Sequence, residues 1–277
     1  VQNIIALAFD FDDTLGPDST GGFLENIGLE ADRFWSECAG LHGDGWDSVP
    51  AYLYKMLKES KTREPGRRIT REALQAWGRQ VGFFKGVGGV FKLLEAHAHE
   101  INPAIEVEFY LISSGVGEIL RSTRIASHFK EIWACDFEYD QAGEIEFPKR
   151  IISFTDKTRY LFQICKGIVG AEFRNRPFEV NRSFAPEDLR VPFAQMIFVG
   201  DGYTDIPCFS LVRKQGGVAF GVYDPARKDK WHRAWKYVED QRVTNLAPAD
   251  YRKGAALTQN LMMAISRIAA NMRPAGL

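Results

Sequence analysis

Short, unbroken apolar runs recur along this chain, and each ends in acidic or glycine-containing residues. Ile4–Phe9 (IIALAF) is the first, and Val107–Ile112, Gln195–Val199 and Gly217–Val222 repeat the pattern. A run of this length with no polar alternation is expected of a strand buried on both faces, as in a parallel sheet. Between the runs, apolar residues return at helical spacing over Val87–His97, Glu118–Ser127 and Thr158–Lys166. Strands alternating with helices predict an α/β fold, a doubly wound (Rossmann-like) parallel sheet core.

Residues 17–85 break that rhythm. Trp35, Trp46, Tyr52, Leu53, Met56, Leu57, Leu74 and Trp77 recur at roughly helical spacing with no strong strand. They predict an all-helical segment inserted after the first strand and closed by Gly86-Val87-Gly88-Gly89. The plain reading of its aromatics is internal packing, with substrate contact as the alternative. Residues 168–194, rich in Arg, Asn, Phe and Pro, are expected to form a long loop or small excursion. From Tyr251 to Met272, Leu257, Leu261, Ile265 and Ile268 mark a helix that packs on the core. The expected division is a core of residues 1–16 and 86–277, a helical cap of 17–85, and an irregular insertion at 168–194.

At 277 residues and 45% hydrophobic composition, the chain can bury one large α/β domain, or a core with a smaller companion. Its 35 Lys and Arg balance 36 Asp and Glu, so no nucleic-acid footprint is expected. The basic run Lys228–Lys230 reads as solvated surface, with an anion-binding patch as the alternative. Cys38, Cys135, Cys165 and Cys208 have no CxxC spacing, which argues against a zinc or dithiol site and for buried thiols. No apolar run reaches the roughly 18 residues of a membrane span. Without a secretory segment the expected compartment is the reducing cytoplasm. The chain begins at Val1 and not at methionine, which leaves a trimmed start and a lost leader open.

Candidate chemistry sits where the apolar runs stop, and ligands of open α/β sheets bind beyond the carboxyl ends of strands. In DFDDT, Asp10 and Asp12 are two residues apart and would point to one side of an extended strand. Two close carboxylates repel, and a divalent cation would relieve that; Mg²⁺ takes one or two carboxylates plus phosphate and water. The plain alternative is a turn, which Asp and Thr favour. In GDGYTD, Asp201 also directly follows an apolar strand, and Asp205 lies one turn later if a helix starts there. Gly200 and Gly202 would let the backbone approach a ligand. Lys157 would supply the cation that a carboxylate-rich phosphate site needs; Lys149 competes for that role, and a solvated helix lysine is the bland reading. Ser113 ends the second apolar run, and its hydroxyl with the amides of Ser114 and Gly115 would suit phosphate oxygens. A simple helix N-cap is the alternative for Ser113.

Taken together, these motifs resemble the haloacid dehalogenase-like superfamily. Asp10, Asp12 and Thr14 match its DxDx(T/V) motif, Ser113 its strand-end Ser or Thr, Lys157 its pre-helix Lys, and Asp201 and Asp205 its GDxxxD motif. All four occur in order and span nearly the whole chain. The helical insertion after the first motif resembles the cap of the phosphoserine-phosphatase-like branch, FFKGVGGVFKLL its return to the core, and CDFEYDQAGEIEFP the strand pair before the third motif. The resemblance implies a Mg²⁺-dependent phosphatase acting on a small phosphorylated metabolite. Asp10 would be nucleophile and Asp12 proton shuttle. Asp10, the Asp12 carbonyl and Asp201 would hold Mg²⁺ with support from Asp205, and Ser113 and Lys157 would hold the phosphoryl group. A phosphomutase or phosphotransferase of the same superfamily, or a binding protein with a vestigial site, are the rival readings. Asp12 argues against a dehalogenase, which lacks that acid, and the DKTGT of ion pumps is absent. Phosphoserine phosphatases carry a cap glutamate that holds the substrate amine. Here GPDSTGG places Asp18 near, without clear equivalence, and residues 168–194 lengthen the gap between the last two motifs.

Overall fold

The computed structural model describes residues 3–272, the side chains of 228–233 excepted, so Lys228 and Lys230 and any patch they form lie outside the described residues. Seven strands form one sheet in the order β4-β3-β2-β1-β5-β6-β7. They are β1 Ile4–Phe9, β2 Glu106–Val116, β3 Phe129–Tyr139, β4 Ile145–Arg150, β5 Met196–Gly200, β6 Val218–Tyr223 and β7 Asn245–Pro248. All neighbours are parallel except the β3–β4 hairpin. β1 is central, paired with β2 through Phe9↔Leu111 and with β5 through Phe9↔Val199, and all six of its residues are buried. That is why its sequence is continuously apolar.

From β1 the chain winds to β2 through helix α5 (Val87–Ile101), and on the other half from β5 to β6 through α8 (Ile206–Lys214). The two crossovers run in opposite directions. Right-handed connection therefore puts α5 and α8 on opposite faces and opens a crevice at the carboxyl end of β1. The last helix, α10 (Ala256–Asn271), packs on α5 with Leu257, Leu261, Ile265 and Ile268 buried, as the sequence predicts. The four cysteines are free and buried. Among the described residues no helix is long and apolar enough to cross a membrane.

Four helices fill the predicted helical segment: α1 (Ser19–Asn26), α2 (Ala31–Gly40), α3 (Ser48–Thr62) and α4 (Arg71–Gly78). Asp18 caps α1 through Gly21 N, and Thr70 caps α4 through Ala73 N. Phe23, Leu24, Phe34, Leu53, Met56 and Leu74 are buried in one cluster continuous with the sheet core. The segment's entry and exit lie against each other: Phe84 N donates to Leu15 O at 2.9 Å, and a Cβ on Gly16 would sit 2.6 Å from Gly82 O.

Two expectations need correction. The predicted helix over Glu118–Ser127 is a single turn, α6 (Gly117–Arg121), followed by a 3₁₀ turn at Ala126–His128. Thr123 Oγ1 bonds the Leu120 carbonyl at 2.8 Å, a local bond that competes with continued helix. β2 also runs on through Ser113, Ser114 and Gly115, with a register break between Ile112 and Val116. Ser113 is therefore inside the strand's last residues, and the residue preceding α6 is Val116. The helix over Thr158–Lys166 exists as α7 (Asp156–Lys166).

Residues 168–194 form an excursion of short 3₁₀ turns. Lys166 Nζ donates to the carbonyls of Val180 and Arg182, both at 2.7 Å. Its far end is held by Arg190, whose guanidinium donates to both oxygens of the buried Glu108 on β2, at 2.7 Å to Oε2. Lys130 and the Tyr110 hydroxyl bond the same carboxylate. Burial would raise the Glu108 pKa, but these donors outweigh it and hold it at about 2. A carboxylate depressed in the folded state stabilises the fold above its ordinary range, and that contribution is lost as pH falls towards 2. Arg190→Ala should cost roughly 2–3 kcal/mol at neutral pH, less than for a fully enclosed pair because Arg190 is partly exposed. Urea unfolding at pH 7 and pH 3 tests this: the difference between variant and parent should shrink at the lower pH, and a constant difference would contradict the assignment.

Candidate active site

The carboxyl end of β1 delivers Asp10 into the crevice, and Asp10 N donates to Val199 O at 2.9 Å, locking β1 to β5 there. α7 delivers Lys157 from below: it has no exposed surface, and its Nζ lies 2.7 Å from Asp205 Oδ1 and 3.1 Å from Asp10 Oδ1. Asp205 closes a 3₁₀ turn (Tyr203–Asp205) that leads into α8, and its other oxygen accepts Gly202 N at 2.9 Å. The carboxylate oxygens of Asp10, Asp201 and Asp205 lie within 4.8 Å of one another, all three buried. Lys149 instead pairs with Glu138 on the exposed β3–β4 hairpin, so of the two lysines only Lys157 reaches the crevice.

Electrostatics at this cluster are unbalanced. Burial raises the Asp10 pKa, against the pull of Lys157, to about 6. Burial alone would lower the Lys157 pKa, but Asp10 and Asp205 outweigh it and raise the value, keeping the ammonium charged. Although near Lys157, Asp10 Oδ1 makes no hydrogen bond among the described residues. Three buried carboxylates grouped around a single ammonium are what an oxygen-liganded divalent cation would further satisfy. An all-oxygen set of this kind is chemically compatible with a hard divalent cation such as Mg²⁺, and within it Asp205 is tied to Lys157.

Asp12 lies on the other side of the crevice. Ser19 N at the start of α1 donates to its Oδ1 at 2.7 Å, and a Cβ on Gly115 would sit 2.7 Å from its Oδ2 and 3.3 Å from Ser113 Oγ. Asp12 is thereby set against the Ser113–Gly115 segment, a close approach that needs glycine at 115. Burial, then the nearby Asp18, raises its pKa to about 8. Ser113 Oγ accepts Gly115 N at 3.0 Å, so that amide is already engaged. Ser114 Oγ is buried and without a hydrogen-bond partner among the described residues.

The fold thus gathers Asp10, Lys157, Asp201 and Asp205 in one cluster and Asp12, Ser113 and Gly115 in a second. Sequence reasoning missed the groups from the helical segment that close over them. Tyr52 of α3 donates from its hydroxyl to Ser114 O at 2.5 Å, so one of the aromatics read as packing holds the candidate phosphate segment. Trp77 Nε1 donates to Ser19 O at 2.8 Å, supporting the residue whose amide holds Asp12. Asp18 Oδ2 accepts Trp35 Nε1 at 2.9 Å. Only the polar tips of Tyr52, Trp35 and Trp77 at helical positions hinted at this, since a buried hydroxyl or indole N–H seeks a partner.

No protein-family model matches the chain. Among solved structures, a HAD family hydrolase of Salmonella enterica subsp. enterica serovar Typhi is similar with a TM-score of 0.61 at 11% sequence identity, over 95% of this chain and 71% of that one. A phosphoserine phosphatase seen as a phospho-aspartyl intermediate analogue is similar with a TM-score of 0.56 at 12% identity, over 94% of this chain and 99% of the other. The chain has the haloacid dehalogenase-like fold in its phosphoserine-phosphatase-like form. Among curated proteins, an uncharacterized protein of Borreliella burgdorferi is 27% identical over 288 residues, 94% of this chain and 96% of that protein.

Glycine at 200 carries a consequence for stability. A Cβ there would lie 2.5 Å from Asp205 Oδ2 and 2.6 Å from its Cγ, whereas at Gly202, in extended backbone, the nearest atom is 3.7 Å away. Gly200→Ala should push Asp205 off Lys157 and cost about 1–3 kcal/mol. Gly202→Ala should stay within about 0.5 kcal/mol. Equal losses for the two in denaturant melts would show that Asp205 is not held where the structure puts it.

Proposed function

We propose that this chain is a Mg²⁺-dependent phosphomonoester hydrolase acting on a small phosphorylated metabolite through an aspartyl-phosphate on Asp10. The observation that carries the reading is the buried Asp10, beside Lys157 and within reach of Asp201 and Asp205, facing Asp12 across the carboxyl end of β1. A buried nucleophile, a charged lysine and a metal-competent acidic cluster are the parts that phosphoryl transfer needs, because its catalysis is largely positioning and charge neutralisation.

In the first step an Asp10 oxygen attacks phosphorus while the bond to the ester oxygen breaks, and Asp12 gives its proton to that leaving oxygen. In the second, a water oxygen attacks phosphorus, Asp12 takes the water's proton, and the Asp10–phosphorus bond breaks to release phosphate. Lys157 Nζ and the Ser113 hydroxyl, with the Ser114 segment, hold the phosphoryl oxygens. Bound Mg²⁺ would supply neutralising charge there, held by Asp10, the Asp12 carbonyl and Asp201, with Asp205 in support. Residues 17–85 act as the cap over the core of 1–16 and 86–277. The paired entry and exit at Leu15 and Phe84 form its hinge, and closing it excludes water from the phosphoenzyme. Residues 168–194 are an insertion fastened to the core away from this chemistry.

The test separates the two aspartates. p-Nitrophenyl phosphate turnover should vanish in EDTA and return with Mg²⁺. Asp10→Asn should abolish turnover and phosphoenzyme together. Asp12→Asn keeps its backbone carbonyl and loses proton transfer, worth about 10²–10⁴-fold in rate. Acid-quenched intact mass should show a phosphate adduct in Asp12→Asn alone. An adduct persisting in Asp10→Asn would place the nucleophile elsewhere and sink the reading.

A further inference from the structure

Beside the acidic cluster lies a cavity of about 550 Å³ lined by Ser48, Phe154, Tyr203, Thr204, Ile206 and Pro207. Its walls come from the elements that build the site. Tyr203 and Thr204 are in the loop between Asp201 and Asp205, and Ile206 and Pro207 begin α8 directly after Asp205. Phe154 is three residues before Lys157. Ser48 opens α3, one helical turn before Tyr52, whose hydroxyl holds Ser114. Every wall is thus within four residues of a group at the centre, and the cavity straddles the helical segment and the core.

Its chemistry is opposite to that of the crevice. The crevice presents the carboxylates of Asp10, Asp12, Asp201 and Asp205 and a lysine, whereas among the described residues no charged side chain lines the cavity. Phe154 and Tyr203 leave 38% and 56% of their surface in water, large aromatic faces that a ligand would cover. The volume is that of a small-molecule site. A ligand reaching from one to the other would be charged at one end and apolar at the other. An amino acid leaving group would bring an ammonium and a carboxylate to walls whose described residues offer neither a partner charge. Asp18, the acid closest in sequence to the first motif, is engaged by Gly21 and Trp35.

We propose that this cavity receives the leaving group of the phosphate ester, and that this group is an uncharged apolar or aromatic moiety. The inference rests on the hydrolase reading but is tested without turnover. Methylphosphonate and naphthylmethylphosphonate are inert to hydrolysis and share the phosphoryl end. With Mg²⁺ and the whole chain, calorimetry should find naphthylmethylphosphonate bound at least ~10-fold more tightly. The double variant Phe154→Ser/Tyr203→Ser should bring that ratio close to one while methylphosphonate affinity stays the same. Phe154→Leu/Tyr203→Phe, which keeps the apolar surface, should retain most of the ratio. Equal affinities in the parent, a ratio that survives the serine variant, or no binding of either phosphonate would overturn the proposal. p-Nitrophenyl phosphate turnover measured alongside keeps the two readings apart. A naphthyl preference without turnover removes only the hydrolase reading, and turnover without a naphthyl preference removes only this one.

Discussion

A lysine ammonium without any exposed surface is the constraint around which this molecule is organised. Taking such a charge out of water costs several kcal/mol, and only opposite charges at close range offset it. Asp205 and Asp10 meet that need at 2.7 and 3.1 Å, and they come from elements separated by nearly two hundred residues. The end of β1, the start of α7 and the turn before α8 must therefore all be in place before Lys157 is compensated. The compensation overshoots, since three buried carboxylates against one ammonium leave a formal charge of two negative. That surplus of negative charge is the feature on which the proposed divalent cation rests.

The helical segment answers to the same centre through backbone groups. Tyr52 bonds the Ser114 carbonyl, Ser19 N holds Asp12, and Trp77 holds the Ser19 carbonyl. On its outer side Arg71 N and Ile69 O pair with Gly143 O and Ile145 N of the β3–β4 hairpin. These contacts are directional and few, while the apolar cluster under the helices is broad. The directional bonds fix how the segment is oriented over the centre, and the apolar cluster supplies the bulk of its attachment.

Away from the centre, the excursion at 168–194 shows how a long irregular segment is kept compact. Its polar backbone cannot be buried without partners, so it lies on the surface and is tied at a few points. Lys166 takes two of its carbonyls, and Arg190 reaches across to Glu108, a carboxylate on β2 whose burial would be costly without Arg190, Lys130 and Tyr110.

The doubly wound sheet, the helical segment after its first strand and the tail helix were legible in the sequence, because burial on both faces forces continuous apolar runs and burial on one face forces a 3.6-residue period. The ends of those runs were legible too, and Asp10, Asp12, Asp201 and Asp205 stand at or just past the ends of β1 and β5, which converge because the two strands are neighbours, whereas Lys157 arrives from helix α7. Tertiary structure alone decided the rest. A periodicity cannot say which lysine crosses to which aspartate, and Lys149 and Lys157 differ only in whether their element faces the crevice. Nor can it show that Ser113 lies within a strand whose register breaks, that Glu118–Ser127 stops after one turn, or that Tyr52 turns its hydroxyl onto a carbonyl sixty-two residues away. Those are outcomes of competition between local hydrogen bonds and packing, and the winner depends on neighbours that only the assembled fold supplies.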